Sequence, residues 1–261
     1  MIIEPYRFLE PLGRGSFGEV WRVEFCRPGR LMGQLFAAKI SYLPADHEDT
    51  TREMRESVRI IAENHPHILK LLSGEGYAGG RLLLVMELAD GSLLDRWKQC
   101  RDSGAVFPLG ELALYVRQAA EALDYIHGQD LVHGGINPGD ILLLNGQVKI
   151  ADPGPPISSD QPFARIQATN LSKAICMAPE RKRGNNHFQS DQYALAATYA
   201  WLRVGRPTLG LDAQPEEIRS ISCLSQPEQE VLVKALSPGP DHRYPSCIEF
   251  ADALQRAVTE G

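Results

Sequence analysis

No stretch of the sequence approaches the roughly 18 consecutive apolar residues that a membrane-crossing helix requires, so no span is expected. The first residues, MIIEPYRFLEPLG, lack a basic segment followed by a long apolar one, and no secretory signal is read there. Cysteines are few and poorly spaced. Cys26, Cys100, Cys176, Cys223 and Cys247 are odd in number, scattered, and form no C-x-x-C pair. A zinc site is thereby disfavoured, and reduced thiols in a cytoplasmic protein are the economical reading. Positive charge is also short. With 27 Lys+Arg against 33 Asp+Glu, the formal net charge is -6 and the pI about 5.7. The overall field therefore does not favour nucleic acid or an anionic membrane surface. Internal repeats and low-complexity tails are missing too.

What remains is 261 residues of ordinary globular composition, 43% hydrophobic and 23% charged, enough for one large domain or two lobes. The first third reads as β-rich. YRFLEPLGRGSFGEVWRVEF gives two strands around a glycine turn, and GQLFAAKISYL, ILKLLSGEGY and RLLLVMEL give three more. Between them, DTTREMRESVRIIAEN has helical spacing, with Met54, Val58, Ile61 and Ala62 on one face. Near residue 90 the character changes. GELALYVRQAAEALDYIHGQ is a long amphipathic helix, and SDQYALAATYAWLRVG is apolar nearly all round, as a buried helix is. PEQEVLVKALS and PSCIEFADALQRAVTE complete the helices, and residues 151–176 show no periodicity and read as a long loop.

GRGSFGEV places Gly13, Gly15 and Gly18 in a G-x-G-x-x-G pattern. Taken alone, such glycines commonly mark only a turn that needs positive φ. A dinucleotide site would need a helix after them, whereas EVWRVEF is β-branched and aromatic. That context favours a hairpin lying over phosphates. Lys39 sits inside an apolar strand pattern, and Glu56, on the following helix, is its candidate partner.

With these, the hinge-like VMELADGSL, HGGINPGDILL, VKIADPG, CMAPE and DHRYPSCIEFADAL stand in the order found in eukaryotic-type Ser/Thr protein kinases, which bacteria also possess. The chain resembles that family over essentially its whole length. The resemblance implies an α+β, bilobal fold, with a β-rich N-lobe over 1–88 and a helical C-lobe over 89–261. It implies that Val20, Ala37 and Leu142 enclose an adenine, that the hinge around Met86, Glu87 and Ala89 binds its edge, and that Lys39, held by Glu56, reaches the phosphates of ATP. Asp140 and Asp152 would hold Mg2+. Glu180 would pair with Arg243, Asp191 would anchor the catalytic loop, and His133 would be a core residue.

The departures are as informative. Where the family reads H-R-D-x-K-P-x-N, this chain has His133, Gly134, Gly135, Ile136, Asn137, Pro138, Gly139 and Asp140. Gly135 stands for the carboxylate that takes the substrate proton, and glycine can neither orient nor deprotonate anything. Neutral Asn137 stands for a lysine, and Lys173 for a bracing threonine. Asp152 is followed by Pro153, which restricts the aspartate's backbone. The losses fall on the substrate side, while the nucleotide side is largely kept. The leading expectation is a pseudokinase that binds Mg·ATP and acts through a protein partner. An active kinase of unusual chemistry and an interaction module without nucleotide are the alternatives.

Overall fold

The computed structural model describes residues 2–14, 18–44, 47, 65–76, 80–151, 171–206 and 215–260. The helix read over 49–64 lies outside them, as do Gly15, Glu56, Asp152 and Pro153.

The first lobe is an antiparallel sheet of β1 (Ile2–Ile3), β2 (Tyr6–Arg14), β3 (Gly18–Phe25), β4 (Leu35–Pro44), β5 (Leu71–Gly76) and β6 (Arg81–Met86), in the order β1-β2-β3-β4-β6-β5. Alternation divides its residues between two faces. Tyr6, Phe8, Val23, Ala38, Ile40, Leu83 and Val85 form one small core. On the other face the register sets Val20 opposite Lys39, Lys39 opposite Leu84, and Ala37 opposite Met86. Gly18 is fixed by close approach, because a Cβ there would collide with the Ile40 carbonyl.

The second lobe is helical. Its helices are α1 (Leu93–Asp102), α2 (Leu109–His127), α3 (Leu171–Cys176), α4 (Pro179–Lys182), α5 (Phe188–Val204), α6 (Pro215–Arg219), α7 (Gln226–Ala235) and α8 (Cys247–Glu260). Ser92 opens α1 with a reciprocal capping box to Asp95, and Ser225 opens α7 with one to Glu228. Helix α5 is buried at every position from Ser190 to Leu202, so it is the pillar on which α2, α7 and α8 pack. A small sheet of β7 (Gly91–Ser92), β8 (Ile141–Leu144) and β9 (Gln147–Ile150) lies just after the lobe junction. The last six residues of the expected loop are helical as α3, since the alanine, isoleucine and cysteine there pack inward, with Ala174 and Cys176 buried.

A seam joins the lobes. The Leu69 amide donates to the Ile150 carbonyl at 2.9 Å, and the Ile150 amide donates to the His67 carbonyl at 2.8 Å. The Asp90 amide donates to the Leu143 carbonyl at 2.8 Å. All five cysteines are free thiols. Among the described residues, no helix is long and apolar enough to cross a membrane.

Candidate active site

The strand register brings Val20, Ala37, Lys39 and Met86 to one sheet face. Lys39 is 4% exposed although it carries an ammonium group, and Ala37 beside it is buried. Ala37, the smallest side chain on this face, pairs with Arg22 on one side and Met86 on the other. The hinge beyond Met86 is braced through Glu87. Its amide donates to the Lys70 carbonyl at 3.0 Å, its carboxylate accepts from the Lys70 amide at 3.2 Å, and Lys149 Nζ lies 3.5 Å from it. Ala89 is partly buried two residues on, and Leu142 enters from β8, paired with Ser92 and Lys149. Gly13 pairs with Val20 at the exposed end of the hairpin. The residue types suit an adenine nucleotide: apolar Val20, Ala37 and Met86 on one sheet face, and a buried cation, Lys39, two residues along the strand from Ala37.

The segment 133–140 is held from within. His133 is fully buried, and its Nε2 donates to the Ala151 carbonyl at 2.8 Å, which makes it a core residue. The Asn137 amide does not point outward as a free donor. Its Nδ2 donates to the Gly135 carbonyl at 3.2 Å and to Asp140 Oδ2, while its Oδ1 accepts from the Gly139 amide at 3.0 Å. Asn137 and Asp140 thus form one polar unit. A hard carboxylate at Asp140 suits a divalent cation. Gly135, buried, offers no side chain.

Asp191, on α5, fixes the start of this segment. Its two oxygens accept from the His133 amide at 2.7 Å and the Gly134 amide at 2.8 Å. His127 Nε2 lies 2.9 Å from the same carboxylate, and His127 Nδ1 lies 3.6 Å from Asp124. Asp124 in turn accepts from the Cys247 and Ile248 amides, both at 2.9 Å, and so caps α8 from outside. Burial would raise the Asp191 carboxyl, but the His127 hydrogen bond and charge, with the Gly134 amide, hold it below the usual range. Burial pushes His127 down, yet hydrogen bonds to Asp124 and Asp191 hold it up at about 9. Asp124, His127 and Cys247 also place a carboxylate oxygen, a ring nitrogen and a thiol within 4.8 Å of one another. The hydrogen bonds account for this group as a protonated clamp.

A pH dependence follows. The folded value for His127 lies above its ordinary 6.5. Its contribution is complete below pH 6.5 and is lost as pH rises through about 9. Denaturation midpoints across about pH 6–10 should fall in that window for the unaltered protein and stay flat for His127→Gln. The same slope in the variant would assign the titration to another group.

Glu180, on α4, meets Arg243 in a two-pronged pair of 2.7 and 2.8 Å, and Ser190 Oγ donates to Glu180 at 2.7 Å. Burial would raise Glu180, but Arg243 and Ser190 keep it low. The Arg243 guanidinium also donates to the carbonyls of Ser237, Pro238 and Gln189 and lies over the Tyr193 ring. Asp124, His127 and Arg181 do not emerge from the sequence reading. Each looks like a surface charge on a helix, and only burial separates them from such charges.

The chain matches the family model for the protein kinase domain over residues 6–258. It is 31% identical over 255 residues to serine/threonine-protein kinase PknI of Mycobacterium tuberculosis, covering 95% of this chain and 41% of PknI. It is 32% identical over 273 residues to PknF of the same organism, covering 95% of this chain and 55% of PknF. The chain therefore spans about half the length of these relatives or less. A crystal structure of the M. tuberculosis PknI kinase domain, in a point-mutant form, superposes with a TM-score of 0.75 at 30% identity, covering 99% of this chain and 97% of that one. The two-lobed architecture, the order of its motifs and these matches agree: the chain belongs to the protein kinase domain family and is similar to bacterial Ser/Thr kinases.

Proposed function

We propose that this chain is a pseudokinase domain, one that takes Mg·ATP and acts through contact with a protein partner rather than by phosphotransfer. One observation carries the reading. Gly135 has no side chain, and Asn137 spends its amide on Gly135 and Asp140, so no lysine or aspartate occupies the two positions that would serve an incoming hydroxyl. Meanwhile the buried Lys39 and the Val20, Ala37 and Met86 face remain. In this reading the adenine lies between Val20, Ala37 and Leu142, with Lys39 and its sequence partner Glu56 on the phosphate side. Asp140 and Asp152 hold the cation, which neutralises triphosphate charge. The name kinase belongs to the relatives; the substitutions at 134, 135 and 137 set this chain apart from the family's catalytic motif.

Thermal shift with ATP, with and without Mg2+, tests the proposal, because a ligand of the folded state raises the melting temperature as RT ln(1 + [L]/Kd). Binding is expected in Mg2+ and is expected to weaken at least about tenfold in EDTA, where two bare carboxylates face the triphosphate. Equal affinity in EDTA would remove Asp140 and Asp152 from the cation site. No shift at millimolar ATP would leave an interaction module, and phosphate transfer abolished by Lys39→Met would make the chain an active kinase.

A further inference from the structure

Arg181 follows Glu180 on α4 and is 3% exposed. Such a guanidinium usually meets a carboxylate in an ion pair; this one does not among the described residues. Its Nη2 donates to the Gly134 carbonyl at 3.2 Å, and its Nη1 donates to Oδ1 of Asn186. Its Nε is buried with no partner among the described residues. Burial lowers its pKa, against the opposing charges of Asp191 and Glu180.

The receiving position is Gly134, whose φ is 72°. A Cβ built there would stand 3.0 Å from Arg181 Nη2 and 3.4 Å from Cζ. The guanidinium therefore occupies the space into which a side chain at 134 would grow. Gly134 is gripped from both sides: its amide donates to Asp191 of α5, and its carbonyl accepts from Arg181 of α4. A cation placed there also faces the Asp191 carboxylate that organises the loop. The loop lacks the arginine that the family's motif carries at this position, and Arg181 of α4 lies against Gly134 in its place.

We propose that Arg181 is a positioning residue for the 133–140 loop, a guanidinium delivered from α4 that fixes Gly134 permanently and without a phosphate on any serine or threonine of residues 155–176. This deepens the reading of 133–140 as a degenerate catalytic loop and rests on it for its significance. The clamp's own contacts, Arg181 to the Gly134 carbonyl and to Asn186, are between protein groups alone.

Hydrogen–deuterium exchange of the chain as it stands separates the two. In Arg181→Gln, peptides covering 133–135 are expected to exchange at least tenfold faster, while α7 and α8 keep their protection. Adding methylguanidinium to Arg181→Ala is expected to restore protection, and Arg181→Lys to restore it only in part, since an ammonium cannot span Gly134 and Asn186 in the same plane. Should Arg181→Gln not fold, Asn186→Ala removes the guanidinium's second acceptor with Arg181 and Gly134 retained, and must give a smaller local rise at 133–135. Aspartate at Ser158, Ser159, Thr169 or Ser172 is expected to leave loop exchange within twofold of the parent. Unchanged exchange at 133–135 in Arg181→Gln, or a rise spread evenly over the chain with no rescue by methylguanidinium, overturns the positioning role. A tenfold gain in loop protection from any of the aspartates overturns its independence from phosphate. A chain that binds no ATP but shows the local exchange pattern loses the pseudokinase reading and keeps the clamp.

Discussion

Arg243→Met is expected to lower stability by about 3–5 kcal/mol, because it leaves Glu180 charged and buried without its fork. The Arg243 side chain is fully buried and the Glu180 side chain is 7% exposed, so water cannot replace the lost partner. For a domain of this size the melting temperature should drop by about 6–20 °C. The loss is larger than one ion pair, since the same guanidinium satisfies the carbonyls of Ser237, Pro238 and Gln189. Glu180→Gln combined with Arg243→Met should recover part of it, because the double variant buries no lone charge. Urea denaturation of both variants checks this. A cost under about 1 kcal/mol for Arg243→Met would mean that water reaches Glu180 and that the pair is not a buried junction.

The second large effect is a gain. Restoring a base by Gly135→Asp is expected to raise phosphotransfer by about 10²–10⁴-fold, but only alongside a repaired loop. The glycines with positive φ include Gly134 and not Gly135, so an aspartate at 135 meets no left-handed backbone. Asn137→Lys alone would strip Asp140 of its amide partner. The exchange Asn137→Lys with Asp140→Asn moves the polar unit together, and Pro153→Phe frees the residue before it. These groups act as one unit, so single variants should show almost nothing and the combination should autophosphorylate. Labelled ATP with a Lys39→Met control reads the result. A folded combination that binds Mg·ATP and transfers nothing would place the loss in the frame, not in these side chains.

Periodicity made the larger elements legible. The helix at 109–127 carries an amphipathic period of 3.6, the helix at 188–204 is a long apolar run, and the strands at 6–14, 18–25 and 35–44 are long stretches set off by turn residues. The sheet of β7 to β9 escaped because its strands have two to four residues, too few for a pattern. Helix α3 hid at the end of an aperiodic stretch. In the site, the missing residues at 134, 135 and 137 were plain from position alone. What took their places was not. Arg181 is a charged residue beside two others in PERK, and nothing in that run says which one turns inward. The signal available was a pair: a glycine where an arginine is due, and an arginine in a nearby segment. Asn137 bonding Asp140 was similarly invisible, because a three-residue spacing in a loop does not fix which side chains meet.

The seam at His67, Leu69 and Ile150 has a mechanical consequence. It lies next to β5, at one border of the six-stranded sheet, whereas β3 is three strands away. At a strand spacing of about 4.8 Å, β3 sits on a lever arm of about 14 Å. A rocking of the first lobe by about 5° about that border would carry β3 roughly 1 Å and leave the hinge almost still. Thermal breathing is therefore graded like that of a door. Val20 on β3 sweeps a wider arc than Lys39 on β4, and Met86 on β6 stands one strand from the border.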